Sequence, residues 1–208
     1  MKNRSVLVLG GTITDYAKAK ASIDDEDYVI YCDRGLRHLE ALGVKPSLAV
    51  GDFDSVPAPE GVETVVFPPR KDDTDAICGL REGLRRGYTT FLILGALGGR
   101  LDHEMGNLYL LDYLYSHGAD GEIADGNTTV EIVGKEWKRV RSGTKYFSLI
   151  AAFGRAEGVY IEDAEYNLTD GVIDPSYQYG ISNETGGEET RVRVEKGRLL
   201  LIRTEDRE

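Results

Sequence analysis

The sequence predicts an α/β fold, with a mainly parallel sheet flanked by helices over residues 1–125 and an antiparallel β-sandwich over residues 126–208. Three observations lead there. Up to Asp125, short β-branched or leucine-rich runs alternate with segments of helical period, which is the grammar of βα units on a parallel sheet. Beyond Asp125 the strand-like runs follow one another with no helical stretch between them. Turn signals punctuate that second half at Asp125-Gly126-Asn127, Asp170-Gly171, Asp174-Pro175 and Lys196-Gly197.

The first-half strands are expected at 6–9, 28–32, 48–50, 64–67, 91–94 and 122–124. Three helices are readable among them. The first, over 36–42, places Leu36, Leu39 and Leu42 on one side and stops at Gly43. The second, over 75–86, turns Ile77, Leu80 and Leu84 inward, with Thr74 or Asp73 as N-cap and Gly87 past its end. Gly79 and Gly83 inside it each cost roughly 0.5–1 kcal/mol relative to alanine, which close packing against a strand would offset. The third, over 103–116, carries Met105, Leu108, Leu111 and Tyr115 and ends before Gly118. The sandwich strands are expected at 128–133, 145–151, 158–162, 190–195 and 199–203.

Charge narrows the function. With 25 Lys plus Arg against 36 Asp plus Glu, the formal charge is −11, which repels nucleic-acid backbones and anionic membranes. No nucleic-acid and no membrane partner is expected. An acidic chain that handles phosphates must reverse that repulsion locally, and a divalent cation held by carboxylates does so. Cys32 and Cys78 form no Cys-x-x-Cys and fit a reducing cytoplasm. The opening apolar run stops at Gly10-Gly11, too short for a signal peptide.

Aspartates recur just after expected strands, in Cys32-Asp33-Arg34-Gly35, Gly51-Asp52-Phe53-Asp54-Ser55 and Asp72-Asp73-Thr74-Asp75, and again at Arg100-Leu101-Asp102-His103. One such residue is as well explained as a helix cap or turn former. Together they are another matter, because the strands of an open parallel sheet end on one edge and bring their carboxylates to a common place. Hard oxygen ligands of that kind select Mg²⁺ over zinc.

A second feature is the strand-to-helix turn from Leu94 to His103, where Gly95, Gly98 and Gly99 let backbone N–H groups approach a phosphate and Arg100 offers a forked donor. It contains no Walker loop. Gly10-Gly11-Thr12 after the first strand offers similar access, although a plain tight turn explains it equally. His103 also has a bland reading, as a helix residue satisfied by a neighbouring carbonyl. Gly180-Ile181-Ser182-Asn183-Glu184 supplies hydroxyl and amide groups suited to a polar heteroaromatic ring.

In order, Asp33-x-Gly35, Pro46 then Gly51-Asp-Phe-Asp-Ser55, Lys71-Asp-x-Thr-Asp75, Gly95-Ala-x-Gly-Gly-Arg-x-Asp-His103 with Asn107, and Ile181-Ser-Asn-Glu184 resemble the thiamine pyrophosphokinase pattern over most of the chain. The resemblance implies an ATP-binding catalytic domain, a sandwich that binds thiamine, and a homodimer whose sites draw on both subunits. It implies metal and catalytic roles for Asp33, Asp52, Asp54, Asp75 and Asp102, with Arg100 also catalytic. Phosphate binding falls to Gly10, Gly11, Thr12, Lys71, Gly95, Gly98, Gly99, Arg100 and His103, and thiamine binding to Ser182 and Asn183. The only tryptophan, Trp137, is far from that last pair, leaving Tyr177 or Tyr179 as the aromatic contact.

The activity so implied is transfer of a diphosphate from ATP, with Mg²⁺, to the hydroxyl of thiamine, giving AMP. Asp102 is expected to accept the hydroxyl proton in preference to Asp75. Two rival readings are a haloacid-dehalogenase-type phosphohydrolase, suggested by Asp52-Phe-Asp-Ser-Val56, and a non-catalytic nucleotide sensor. Gly51 counts against the first, since that motif ordinarily ends an uninterrupted apolar strand.

Overall fold

The computed structural model describes residues 3–53, 60–68, 72–141 and 144–205, and the chain divides into two compact units, Met1–Gly126 and Asn127–Glu208. In the first unit the strands are β1 (Arg4–Val8), β2 (Tyr28–Cys32), β3 (Leu48–Gly51), β4 (Glu63–Val66), β5 (Thr90–Leu94) and β6 (Asp120–Ala124). They lie in the order β6-β5-β1-β2-β3-β4, and every pairing among them is parallel. The chain winds outward from β1 to β4 and then returns to place β5 on the other side of β1. The order therefore reverses between β1 and β5, the place where open α/β sheets present a crevice.

Four helices flank this sheet: α1 (Tyr16–Ala21), α2 (Leu36–Leu42), α3 (Asp75–Arg85) and α4 (Leu101–Ser116). Side chains alternate along each strand, so the two sheet faces meet different helices. Val6, Val8, Val29, Tyr31, Leu92 and Leu94 form one core with Ala19 of α1 and Leu39 and Leu42 of α2. Leu7, Ile30, Cys32 and Phe91, of opposite parity, meet α3 at Gly79 and Gly83.

The helix faces differ from those the periodicity suggests. In α2, Leu36 is exposed, and His38 joins Leu39 and Leu42 inside. In α3 the buried line runs through Ala76, Gly79, Leu80 and Gly83, because small residues let the helix lie almost on the sheet. In α4, Leu110, Leu111 and Leu114 are buried while Met105 and Tyr115 are exposed. That helix is apolar on nearly every side, so its pattern does not mark one face as the inner one. Helix α1 is an addition to the expected elements. It buries only Ala19, too little to register as a stripe, and Asp15 caps it by accepting the Lys18 N–H.

The second unit pairs two antiparallel sheets. One has the order β12-β9-β14-β7, from β7 (Thr128–Val133), β9 (Tyr146–Ile150), β12 (Asn183–Glu184) and β14 (Leu199–Thr204). The other has the order β11-β10-β13-β8, from β8 (Lys138–Arg139), β10 (Ala156–Glu162), β11 (Leu168–Ile173) and β13 (Arg191–Lys196). Val133, Phe147, Leu149, Leu199 and Leu201 of the first pack on Val159, Ile161, Ile173, Val192 and Val194 of the second. This is the sandwich expected, with one correction. Asp170-Gly171, read as a turn, lies within β11, where Asp170 takes a positive φ of 51° and the pairing with β10 is irregular. A bulge uses the same residues as a turn.

The close approach of α3 gives a test. A Cβ on Gly83 would lie 2.6 Å from Cε1 of Phe91. Gly83→Ala should thus destabilise the protein by about 1–3 kcal/mol in urea unfolding, although helix propensity alone would add stability. A variant that is more stable than the parent would remove this account of α3.

Candidate active site

Three of the expected acidic residues, Asp33, Asp52 and Asp75, gather at the carboxyl ends of β2, β3 and β4. Asp33 directly follows β2, Asp52 directly follows β3, and Asp75 opens α3 behind a Thr74 cap whose hydroxyl accepts the Ile77 N–H at 3.4 Å. Gly51 stands beside Asp33, its Cβ direction pointing at the Asp33 backbone 3.6 Å away. Partial burial raises the Asp33 pKa above the usual carboxylate value, and the charges of Asp75 and Asp52 raise it further against a hydrogen bond from the Arg34 N–H. The thiol of Cys32 is pushed well up, by burial first and then by Asp75, Cys78 and Asp33. Three carboxylates thus share one field.

Backbone geometry maintains this gathering. Of the five non-glycine residues at positive φ among the described residues, three fall in the quoted motifs: Asp33 at 41°, Phe53 at 53° and Ser182 at 58°. For a bulky phenylalanine this is a costly conformation, of order 1–3 kcal/mol, tolerated where the surroundings over-determine it. The Phe53 ring packs against the core beneath α1 and α2 and holds the bend immediately after Asp52.

One expected carboxylate, Asp102, is placed otherwise. Asp54 and Lys71 lie outside the described residues. Asp102, in the first turn of α4, is exposed and bonded to Arg100 at 2.6 and 3.1 Å. That bond, the Arg100 charge and the His103 N–H hold its pKa below the ordinary carboxylate value. Among the described residues no three acidic, imidazole or thiol groups form a set that holds a metal by themselves. Mg²⁺ ordinarily takes one or two carboxylates and completes its shell with water and phosphate oxygens. The mutual repulsion of Asp33, Asp52 and Asp75 fits such a cation.

The two glycine turns meet at the reversal point of the sheet. Gly11 N–H donates to Gly95 O at 2.6 Å, Thr12 N–H to Leu97 O at 2.6 Å, and the Thr12 hydroxyl to Gly98 O at 2.7 Å. The approach is so close that a Cβ on Gly11 would strike the carbonyl oxygens of Gly95 and Leu97. From α4, the Asn107 amide donates to Ala96 O at 2.8 Å. Two carboxylates already occupy donors here: Glu104 accepts the Gly99 N–H at 2.6 Å, and Asp102 takes the Arg100 guanidinium. The Gly99 N–H and Arg100 thus already face carboxylate oxygens, groups of the charge a phosphate carries. His103 is exposed, and its backbone N–H donates to Asp102.

Sequence reasoning missed a cluster behind the first turn. The Arg37 guanidinium donates to Gly10 O and Gly11 O, and buried His38 lies between Gly11 O and the Tyr16 hydroxyl. The signal available was the inner stripe of α2, since His38 sits four residues before Leu42 on the same face.

In the second unit, Asn183 is buried and its amide is engaged within the fold. Its oxygen accepts the Tyr166 and Glu184 N–H groups at 3.0 and 2.9 Å, and its nitrogen donates to Tyr166 O at 2.8 Å. Ser182 is exposed, its N–H bonded to the Ser148 hydroxyl at 3.0 Å. Beside them lies a cavity of about 240 Å³ lined by Ile161, Leu168, Ile173, Tyr179 and Ile181, with Asn183 on its wall. Trp137 is elsewhere, edge-on to Tyr160 and covered by Arg191 and Arg193. Tyr179 and Tyr166 are the aromatic residues at the cavity, and of the two tyrosines expected as contacts only Tyr179 lines it.

These features define a class: a doubly wound α/β unit with acidic and glycine-rich turns at its strand ends, followed in sequence by an antiparallel β-sandwich. A family model described as the thiamin pyrophosphokinase catalytic domain matches residues 19–120, and one described as the thiamin pyrophosphokinase vitamin B1 binding domain matches residues 130–199. A thiamine pyrophosphokinase of Bacillus subtilis is 26% identical over 209 residues, covering 96% of this chain and 98% of that protein. The solved thiamine pyrophosphokinase structure from Bacillus subtilis matches with a TM-score of 0.87 at 23% identity, over 98% of this chain and 100% of that one. That from Geobacillus thermodenitrificans matches with a TM-score of 0.85 at 26% identity, over 98% of each. The chain belongs to the thiamine pyrophosphokinase family. The family, fold class and diphosphotransferase function expected from the motifs are borne out, and the phosphohydrolase and sensor readings find no support. No helix among the described residues is long and apolar enough to cross a membrane.

Two outcomes follow from the geometry. Because the folded state favours protonated Asp33, its stabilising contribution is present below the unfolded carboxylate range and fades as pH rises through the raised value. In EDTA, Asp33→Asn should therefore melt above the parent at pH 7, with the difference shrinking toward pH 4; identical melting curves would remove the repulsion argument. Asn183→Ala should cost about 1–3 kcal/mol of stability, because it removes the buried amide that holds the Tyr166 N–H and carbonyl. A variant with parental stability but weak thiamine binding would instead make Asn183 a ligand contact.

Proposed function

We propose that the chain transfers a diphosphate from ATP to thiamine through the strand-end carboxylates of its first unit, with the vitamin's rings received by the second. The coupled charges of Asp33, Asp52 and Asp75 carry this reading. Asp33 and Asp52, joined by Asp54 of the same motif, would hold Mg²⁺, which when bound offsets negative charge on the ATP phosphates. Gly95, Gly98, Gly99 and Arg100, with Gly10, Gly11, Thr12, Lys71 and His103, hold the polyphosphate. Thiamine's hydroxyl oxygen forms a bond to the β-phosphorus, the bond from that phosphorus to the oxygen bridging the α-phosphorus breaks, and AMP leaves with that oxygen.

We assign the hydroxyl proton to Asp75 rather than Asp102. A carboxylate held by Arg100 binds protons weakly and suits charge pairing with that arginine. Tyr179 at the sandwich cavity, with exposed Ser182 next in sequence to its lining residues Ile181 and Asn183, meets the rings of thiamine, and Asn183 supports that wall. We further propose a homodimer, supported by the exposed stripe Leu101, Met105 and Tyr109 along α4, and a cytoplasmic location, supported by two cysteines outside any disulfide.

The protein, ATP, Mg²⁺ and thiamine together should release AMP and thiamine diphosphate in equal amounts. Asp75→Asn should lower kcat by about 10²–10⁴-fold, and more than Asp102→Asn does. Thiamine-independent release of inorganic phosphate would defeat the reading, and a larger loss in Asp102→Asn would return the proton to that residue.

A further inference from the structure

We infer that Arg37 and His38 of α2 are positioning residues for nucleotide binding, acting through the carbonyls of Gly10 and Gly11. The inference rests on the proposal above that the Gly10-Gly11 turn holds ATP. His38 is only 3% exposed, with Nε2 2.9 Å from Gly11 O and Nδ1 2.6 Å from the Tyr16 hydroxyl oxygen. The neutral tautomer with Nε2–H serves the two shorter contacts, donating to the carbonyl while Nδ1 accepts the tyrosine proton, and leaves the longer approach of Arg37 Nε to Nε2, at 3.2 Å, without an acceptor. Burial, followed by the charge of Arg37, lowers the imidazole pKa against the opposing effect of the Gly11 contact, which keeps the ring in that neutral form.

Arg37 Nη2 meets Gly10 O at 2.5 Å and Gly11 O at 2.6 Å. Two consecutive peptide planes are therefore pinned at both ends. The Gly10–Gly11 plane has its carbonyl on Arg37 and its N–H on Gly95 O, while the Gly11–Thr12 plane has its carbonyl on Arg37 and His38 and its N–H on Leu97 O. Because a peptide unit is rigid and planar, fixing both ends fixes the orientation of the turn. Both carbonyl dipoles consequently end on α2. Released, they are free to swing toward the crevice, where a lone pair repels phosphate oxygens. His38 also underlies the second turn, since a Cβ on Gly95 would lie 3.5 Å from its Cδ2. One imidazole thus supports both walls of the crevice.

The test is calorimetric binding of Mg·ATP to the full chain, together with steady-state AMP release. Arg37→Gln and His38→Leu should each weaken ATP binding and raise the KM for ATP about tenfold, the size of one hydrogen bond. The KM for thiamine and kcat should stay within about twofold, the pattern of lost uniform binding. His38→Gln, which keeps an N–H donor for Gly11 O, should recover most of the affinity lost in His38→Leu. Should His38→Leu fail to fold, Arg37→Gln, exposed on α2, carries the test alone. Unchanged ATP affinity in folded Arg37→Gln, or equal losses toward thiamine, overturns the positioning role. A parent chain that binds no ATP overturns the nucleotide reading and this inference with it.

Discussion

Like charges held together are the constraint around which the first unit is arranged. A parallel sheet ends every strand on one edge, and the adjacency of β2 and β3 brings Asp33 and Asp52 side by side. Helix α3 then delivers Asp75 to the same edge, and the pKa of Asp33, raised first by its partial burial, is raised further by the charges of Asp75 and Asp52. Such repulsion would relax if the backbone were free to move. It is opposed by the positive-φ bends at Asp33 and Phe53, the packing of Phe53 into the core, and the close seating of α3 on the sheet.

The reversal of strand order between β1 and β5 supplies the complementary half. There the charge sign of the available groups changes: the Gly99 N–H and the exposed Arg100 guanidinium hold the carboxylates of Glu104 and Asp102. An acidic chain of formal charge −11 thereby carries a turn of anion-accepting donors close in sequence to its own acids, the turn proposed to hold the polyphosphate. Asn107 of α4 holds this turn through Ala96 O, and Arg37 and His38 of α2 hold the Gly10-Gly11 turn that is bonded to it.

Much of this was legible in the residues, for a physical reason. Strand-end turns demand particular chemistry, so Gly51-Asp52, Thr74-Asp75 and Gly98-Gly99-Arg100 stand out as a series even where each is ambiguous alone. What stayed hidden depends on tertiary packing. Helix α1 buries a single alanine, and α4 is apolar on most sides, so periodicity found neither the first element nor the inner face of the second. Asp170-Gly171 has the composition of a turn and the conformation of a bulge. His38 reads as an ordinary polar residue until Tyr16 and Gly11, distant in sequence, arrive on its two nitrogens. Asn183 shows the converse, a motif residue whose amide is committed to the backbone of Tyr166.

The glycine face of α3 makes that helix a short lever. Gly83 sits two turns from Asp75 on the same rod, and its contact with Phe91 sets how low the far end rests. A methyl group at the fulcrum would tilt the rod and lift the carboxylate at its tip, so the reach of one acidic side chain is governed by the missing bulk of a residue remote from any substrate.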